Sequence, residues 1–300
     1  MQVDLLCSGS KGNACLVRTK NTTIMIDCGP STWKYMKNSM IDSGVEPEGL
    51  DALLITHSHA DHIRQLSHFA YAPIYACCPL SVRPRKGKTV SLNIHAVTPP
   101  QRLIIGDLRI LAIPTSHDSG PSMGFVIEGD GEKLVYITDT GYIPESLDPV
   151  ISNADYYIFE SNHDLEKLNE TNRPVWLKIR IASDTGHLCN QDAARILCNV
   201  IGERTKRIVL AHLSEEANTA DLALRSMYER LEYTHHKSGQ LIVQAAEQFE
   251  PIRFGSLDPE GAEEPEQTVT QSSGAEKKTA EKKAAEKKAP AVTAQPALAI

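Results

Sequence analysis

Residues Thr56 to His62 read THSHADH and follow the apolar run Ala52, Leu53, Leu54 and Ile55. Side chains two apart in an extended segment share a face, so His57 and His59 point the same way where that run ends. That is a pair of metal ligands. Asp61 and His62 fall where a helix should begin, because Ile63, Leu66 and Phe69 follow at helical spacing. Three histidines and an aspartate so close together, at a strand end, could supply two neighbouring metal ions; a turn without metal has little use for them.

The elements that must position these donors repeat one pattern, in which a short apolar strand stops at a chemically active residue. Strands are expected over Val3–Cys7 and Cys15–Thr19, joined by SGSKGN, whose Gly9, Gly12 and Asn13 suit a tight turn. Ser8, Ser10 and Asn13 of that turn could line a cleft, although turn chemistry accounts for them equally well. A third strand, Thr23–Ile26, ends at Asp27, which either binds metal or holds the histidine loop by hydrogen bonds. Ser31 then reads as the N-cap of a helix to about Ile41, and a helix is expected from the histidine cluster to about Phe69. Leu108–Pro114 alternates and leads to His117, and the strand at Lys133–Thr138 ends in Asp139. A carboxylate at the end of a buried strand needs a partner, since burying that charge unpaired is costly. Tyr156–Phe159 runs into Glu160, Ser161, Asn162, His163 and Asp164; helical segments to Ala182 precede TGHLCN with His187; Ile208–Ala211 stops at His212. A helix from Ala217 to Leu231 and closing strands at Leu241–Gln244 and Pro251–Phe254 complete the pattern. A rigid sheet presents a site this way, in loops along one edge.

The folded unit is expected to span residues 1–254. Residues 255–300 lose apolar periodicity and end in an Ala/Glu/Lys repeat, which buries too little surface to offset its ordering entropy. The net charge of −7 argues against holding nucleic acid by bulk positive charge. A polyanion would need a local patch, for which Arg83, Arg85, Lys86 and Lys88, or Lys206 with Arg207, are candidates. Seven cysteines without a CxxC pair suggest neither a disulfide framework nor a zinc ribbon. With no secretory signal and no apolar run long enough to cross a bilayer, the expected location is the cytoplasm, with no membrane partner.

The ordered set Asp27, HSHADH, His117, Asp139 and His212 resembles the metallo-β-lactamase superfamily, over nearly the whole of the expected folded unit. The resemblance implies an α/β fold, an αβ/βα sandwich with two inner sheets and outer helices. SGSKGN, IDCG, HSHADHI, SHD followed by GF, TDTGY, ESNHD and HLSEE look more closely like the branch typified by YycJ and WalJ, regarded as metal-dependent nucleases that degrade DNA from 5′ to 3′. The GHL element departs from that pattern, with Cys189 where serine is expected. Other superfamily nucleases insert a large domain between the aspartate and the final histidine, and the span from Asp139 to His212 is too short for it.

By this resemblance His57, His59 and His117 hold one divalent ion, Asp61, His62 and His212 a second, and Asp139 bridges them. Imidazole and carboxylate donors suit zinc, manganese or iron without choosing among them. Two such ions lower the pKa of a shared water and offset charge in an in-line displacement, which makes hydrolysis the expected reaction. Asp61 could also orient the attacking water. His163 and His187 are the spare histidines able to meet phosphodiester charge or protonate a leaving oxygen. The expected function is a dinuclear phosphodiesterase, a 5′ to 3′ exonuclease with DNA as substrate. The same ions could instead hydrolyse a small thioester, lactone or cyclic phosphate. A binding protein that kept the fold but lost the chemistry would have no reason to retain the whole ligand set.

Overall fold

A computed structural model of the protein describes residues 1–82, 90–234 and 241–257. The basic stretch at Arg83, Arg85, Lys86 and Lys88, and the expected tail from residue 258 on, lie outside the described residues.

The strands among the described residues form two seven-stranded sheets. The first contains β1 (Gln2–Cys7), β2 (Ala14–Arg18), β3 (Thr23–Ile26), β4 (Ala52–Ile55), β5 (Pro73–Ala76), β6 (Asn93–Ala96) and β14 (Ile252–Gly255), in the order β14-β1-β2-β3-β4-β5-β6. The second contains β7 (Gln101–Ile105), β8 (Leu108–Pro114), β9 (Met123–Gly129), β10 (Glu132–Ile137), β11 (Tyr156–Glu160), β12 (Arg207–Ala211) and β13 (Ile242–Ala245), in the order β13-β12-β11-β10-β9-β8-β7. Each sheet is antiparallel on one side and parallel on the other: β3 through β6 run parallel, as do β10 through β13.

Both faces of the inner strands, such as β2, β4 and β11, are apolar because both are covered, whereas the edge strand β6 is exposed. Val3, Val17, Ile24, Leu54, Phe125, Tyr136 and Val209 meet between the sheets. The alternate residues Leu6, Leu16, Met25 and Leu53 pack outward against Met36 and Met40 of α1 (Trp33–Asp42). On the far side Val135, Tyr157, Phe159 and Leu210 pack under α3 (Asp148–Ile151), α6 (Asn190–Val200) and α7 (Ala220–Tyr233). The result is the expected sandwich of two inner sheets between outer helices. All seven cysteines are free, and no helix among the described residues is long and apolar enough to cross a membrane.

Three local differences from the sequence reading have identifiable causes. The N-cap of α1 is Thr32, whose hydroxyl accepts from the Tyr35 amide, while the Ser31 hydroxyl donates to the Lys11 carbonyl. The helix expected after the histidine cluster is one turn, α2 (Ala60–Ile63), followed by a separate turn at Leu66–His68. Its next hydrogen bond is taken elsewhere: the Gln65 amide donates to Cys28 O, and Asp61 O accepts from the Asn13 amide. The expected helical stretch from Asp164 to Ala182 is two helices, α4 (Leu165–Glu170) and α5 (Val175–Ile181), separated at Pro174, whose ring cannot continue α4. Cys189 N-caps α6, its sulfur accepting from the Asp192 amide, so the thiol fills the capping role open to a serine hydroxyl there.

Candidate metal centre

The parallel strands β3, β10 and β12 each deliver a side chain through a residue in the left-handed region: Asp27 at φ 59°, Asp139 at φ 55° and His212 at φ 56°. This conformation is uncommon for residues other than glycine and costs energy that packing must supply. It turns the chain sharply as each strand ends and places the side chain at the sheet edge. Gly29 makes a further close approach possible, since a Cβ there would lie 1.4 Å from Asp61 O.

His57, His59 and His117 form a nearly equilateral triangle, with ring centroids 4.7, 4.9 and 5.0 Å apart and planes crossed at 77–78°. Asp61, His62 and His212 form a second grouping, and Asp139 lies beside both. Its Oδ2 is 3.2 Å from His62 Nε2, though off the line of a hydrogen bond, and its Oδ1 is 3.4 Å from His212 Nε2 and 3.9 Å from His117 Nε2. Asp61 Oδ2 is 3.5 Å from His62 Nε2 and 3.9 Å from His212 Nε2.

The rings are held from behind. His62 Nδ1 donates to Asp27 Oδ2 at 2.8 Å, and the same carboxylate accepts from the Thr56 amide and hydroxyl. The Thr56 oxygen in turn accepts from His57 Nδ1 at 3.0 Å. His117 Nδ1 donates to Gly186 O at 3.1 Å, and His212 Nδ1 donates to Glu160 Oε1 at 3.1 Å. Each of these bonds fixes a tautomer and turns the lone pair of Nε2 inward.

A divalent cation fits this donor set. Among the buried polar atoms without a hydrogen-bond partner are His57 Nε2, His212 Nε2 and Asp139 Oδ2, all facing the cluster, and such atoms are costly unless something pairs with them. His117 Nε2 and His59 Nδ1 stand 3.3 Å apart; two nitrogens about 2.0–2.1 Å from one tetrahedral ion would stand about 3.4 Å apart. The electrostatics agree. Burial opposes charge on His62, yet Asp139 and Asp27 hold its pKa well above the ordinary imidazole value. Burial likewise opposes charge on His212, but the Asp139, Asp61 and Glu160 carboxylates push it up to about 10. A field that retains protons on buried imidazoles also attracts a cation.

Glu160 is the participant that the sequence left without a role. Fully buried, it accepts from His212 Nδ1 and from His187 Nδ1 at 2.8 Å through Oε1, and from the Thr140 amide at 2.7 Å through Oε2. Burial alone would raise its pKa, but His187 and His212 hold it at about 2. A carboxylate ending a buried strand was the available signal, the same one that marks Asp27 and Asp139. His187 sits at the mouth, its side chain 21% exposed, with ring centroids of His117 and His212 at 5.1 and 5.3 Å.

The remaining candidates are placed differently. Among the described residues His163 belongs to none of the metal-type groupings and neither of its ring nitrogens has a hydrogen-bond partner; it is buried, and burial pulls its pKa down to about 4. Ser8 and Asn13, expected as cleft-lining residues, are buried and committed to the site itself. The Ser8 hydroxyl accepts from the His212 amide at 2.8 Å, and Asn13 Nδ2 lies 3.0 Å from His62 Nε2 and 3.4 Å from Asp61 Oδ2. Of that turn, Ser10 is exposed. Lys206 is engaged by Glu132 at 2.8 Å and Asp155 at 3.3 Å, and Arg207 by Gln244 at 2.6 Å, so this candidate basic patch is internally paired.

Residues 22–213 match the model of the β-lactamase superfamily domain. The chain is 35% identical over 234 residues to exodeoxyribonuclease WalJ of Streptococcus pneumoniae, covering 76% of this chain and 87% of that protein. It is 33% identical over 243 residues to exodeoxyribonuclease YycJ of Bacillus anthracis, covering 77% and 89%. Among solved structures, the metallo-β-lactamase-fold protein YhfI of Bacillus subtilis superposes with a TM-score of 0.60 at 19% identity, covering 84% of this chain and 98% of that one, a likeness of fold.

Proposed function

Since this chain belongs to the metallo-β-lactamase superfamily, we propose that it is a metal-dependent exodeoxyribonuclease, degrading DNA from the 5′ end on a pair of divalent ions, zinc or manganese. The observation that carries the reading is the paired donor set around Asp139, with its inward-facing, unpartnered His57 and His212 nitrogens. The named exodeoxyribonuclease relatives, matched over most of their length, support DNA as the substrate.

In this reading His57, His59 and His117 would hold one ion and Asp61, His62 and His212 the other, with Asp139 as a ligand shared by the two sets. When bound, such ions supply an activated water and offset the charge that builds on the phosphoryl oxygens. The chain's own residues do the rest. Asp27, Thr56, Gly186 and Glu160 keep the ring tautomers that present Nε2. His187, at the mouth with Nδ1–H on Glu160, has Nε2 available to hand a proton to the departing sugar oxygen. The Glu160 charge compensates the positive charge of that proton-carrying ring and steadies its orientation. Asp61, 20% exposed, would accept a hydrogen bond from the attacking water.

The test is digestion of end-labelled linear DNA, single- and double-stranded, and of RNA, by the full-length chain supplied with Mn²⁺ or Zn²⁺. Progressive loss from the 5′ end, absent in His59→Ala, is expected. No digestion of any nucleic acid under either metal would overturn the reading.

A further inference from the structure

On the deoxyribonuclease reading, we propose that the outer face of α5 is a stacking platform for the substrate strand, with Trp176 receiving a base and Arg180 a neighbouring phosphate. α5 turns Leu177 and Ile181 inward against Leu168 and Ala217. Its outer residues are left bare: Val175 is 71%, Trp176 67% and Ile179 66% exposed. An indole so displayed beside polar neighbours marks a contact surface more than a packing one.

Its position ties it to the metal centre. Arg180 Nε donates to Asp118 Oδ2, and Asp118 Oδ1 lies 3.7 Å from His117 Nε2 and 3.8 Å from His59 Nε2. At the other end of the segment Arg173 Nε donates to Glu216 at 2.9 Å. The helix is thus strapped to the loops that follow His117 and His212. Trp176 and Arg180 are four residues apart and so neighbours on one helix face, with Cβ atoms about 5–6 Å apart. A line from the ligands to the platform runs through Asp118, Arg180 and Trp176.

The chemistry selects the occupant. Residues 172–183 carry Arg173, Lys178 and Arg180 and no acidic residue, on a chain of net charge −7; Arg173 is paired with Glu216 and Arg180 with Asp118, and the Lys178 ammonium donates to the uncharged Asn169 carbonyl. The Arg180 side chain is 51% exposed, and pairing Nε with Asp118 leaves its terminal nitrogens as donors to phosphate. Exposed aromatic faces combined with cations are how single strands are held without regard to base identity.

The test measures kcat and KM separately for the full-length chain on a 5′-phosphorylated oligothymidylate and on bis(p-nitrophenyl) phosphate, a diester too small to reach one helical turn beyond the metals. Loss of one stacked base is expected to raise the oligonucleotide KM of Trp176→Ala about tenfold, with kcat within twofold. Trp176→Phe should stay within threefold of wild type, and the small diester should not distinguish the three proteins. An unchanged oligonucleotide KM in Trp176→Ala, or an equal KM rise on both substrates, overturns the platform. So does a shift in light-scattering mass with no change in KM, which would make the face a self-contact. If wild type leaves DNA intact, the deoxyribonuclease reading fails and takes the platform with it; if wild type degrades DNA and the variants do not differ, the platform alone fails.

Discussion

Glu160→Gln changes one atom's identity and little volume, yet it strikes the point where two histidines are held. Glu160 Oε1 accepts from His187 and His212, and Oε2 from the Thr140 amide and, at 3.4 Å, the Leu188 amide. An amide offers one oxygen and one NH2, so whichever way it is turned the NH2 faces donors. Turned toward the backbone, it strands a buried N–H, at a cost of about 1–3 kcal/mol. Turned toward the rings, it removes the acceptor that keeps His212 Nε2 inward and His187 protonated on Nδ1. Loss of such an outer partner typically weakens metal affinity about 10–100-fold, and loss of a working general acid lowers turnover by about 10²–10⁴. His187 itself remains, so the lower end applies, and kcat at saturating metal should fall about 100-fold. The assay is nucleotide release from a 5′-phosphorylated oligonucleotide over a range of Mn²⁺ concentrations, which separates the metal term from the chemical term. Circular dichroism verifies that the variant folds. A Glu160→Gln enzyme within threefold of wild type at every metal concentration would refute the reasoning.

Other outcomes follow from the same geometry. In the metal-free chain, the raised His212 contributes stability that is complete below its ordinary value of about 6.5 and lost as pH rises through about 10, while the depressed Glu160 contributes stability present above about 4.5 and lost as pH falls through about 2. Thermal scans should therefore show the metal-free Tm falling from pH 6 to pH 10, and a saturating divalent ion, which takes the neutral imidazole, should remove that slope; a rising metal-free Tm would contradict the assignment. Gly29→Ala drives a Cβ into Asp61 O, and differential scanning should show a loss of about 1–3 kcal/mol with weakened metal binding. Phe125→Ala empties a fully buried position between the sheets; denaturant titration should show about 3–5 kcal/mol lost, with activity at low temperature unchanged.

Much of this architecture was legible because strand, stop and ligand coincide in the sequence. Leu108–Pro114 and Thr23–Ile26 were read with the limits they adopt, since apolar runs bounded by turns leave few alternatives. The ligand-type residues of THSHADH, with His117, Asp139 and His212, gather into one cluster, buried except at His59 and Asp61. What sequence could not supply was who stands behind whom. Glu160 appeared as another strand-end carboxylate, and nothing in a linear chain says that it faces two rings contributed by loops 27 and 52 positions later. Ser8 and Asn13 read as turn residues at a cleft because their partners, the His212 amide and the Asp61–His62 pair, come from other elements. The left-handed turns at Asp27, Asp139 and His212 were equally invisible, since none is a glycine. The short α2 shows tertiary hydrogen bonds from Asn13 and to Cys28 displacing the local pattern of Ile63, Leu66 and Phe69.

The central claim, that the strand-end cluster binds the metals that cleave DNA, is tested most directly by stripping the full-length chain with chelator and following both metal content and digestion of linear DNA as Mn²⁺ is returned. The expected result is loss of digestion on stripping, recovery as two equivalents bind per chain, and no recovery in His212→Ala. Digestion that survives complete stripping, or that returns in His212→Ala at the wild-type rate, would contradict it.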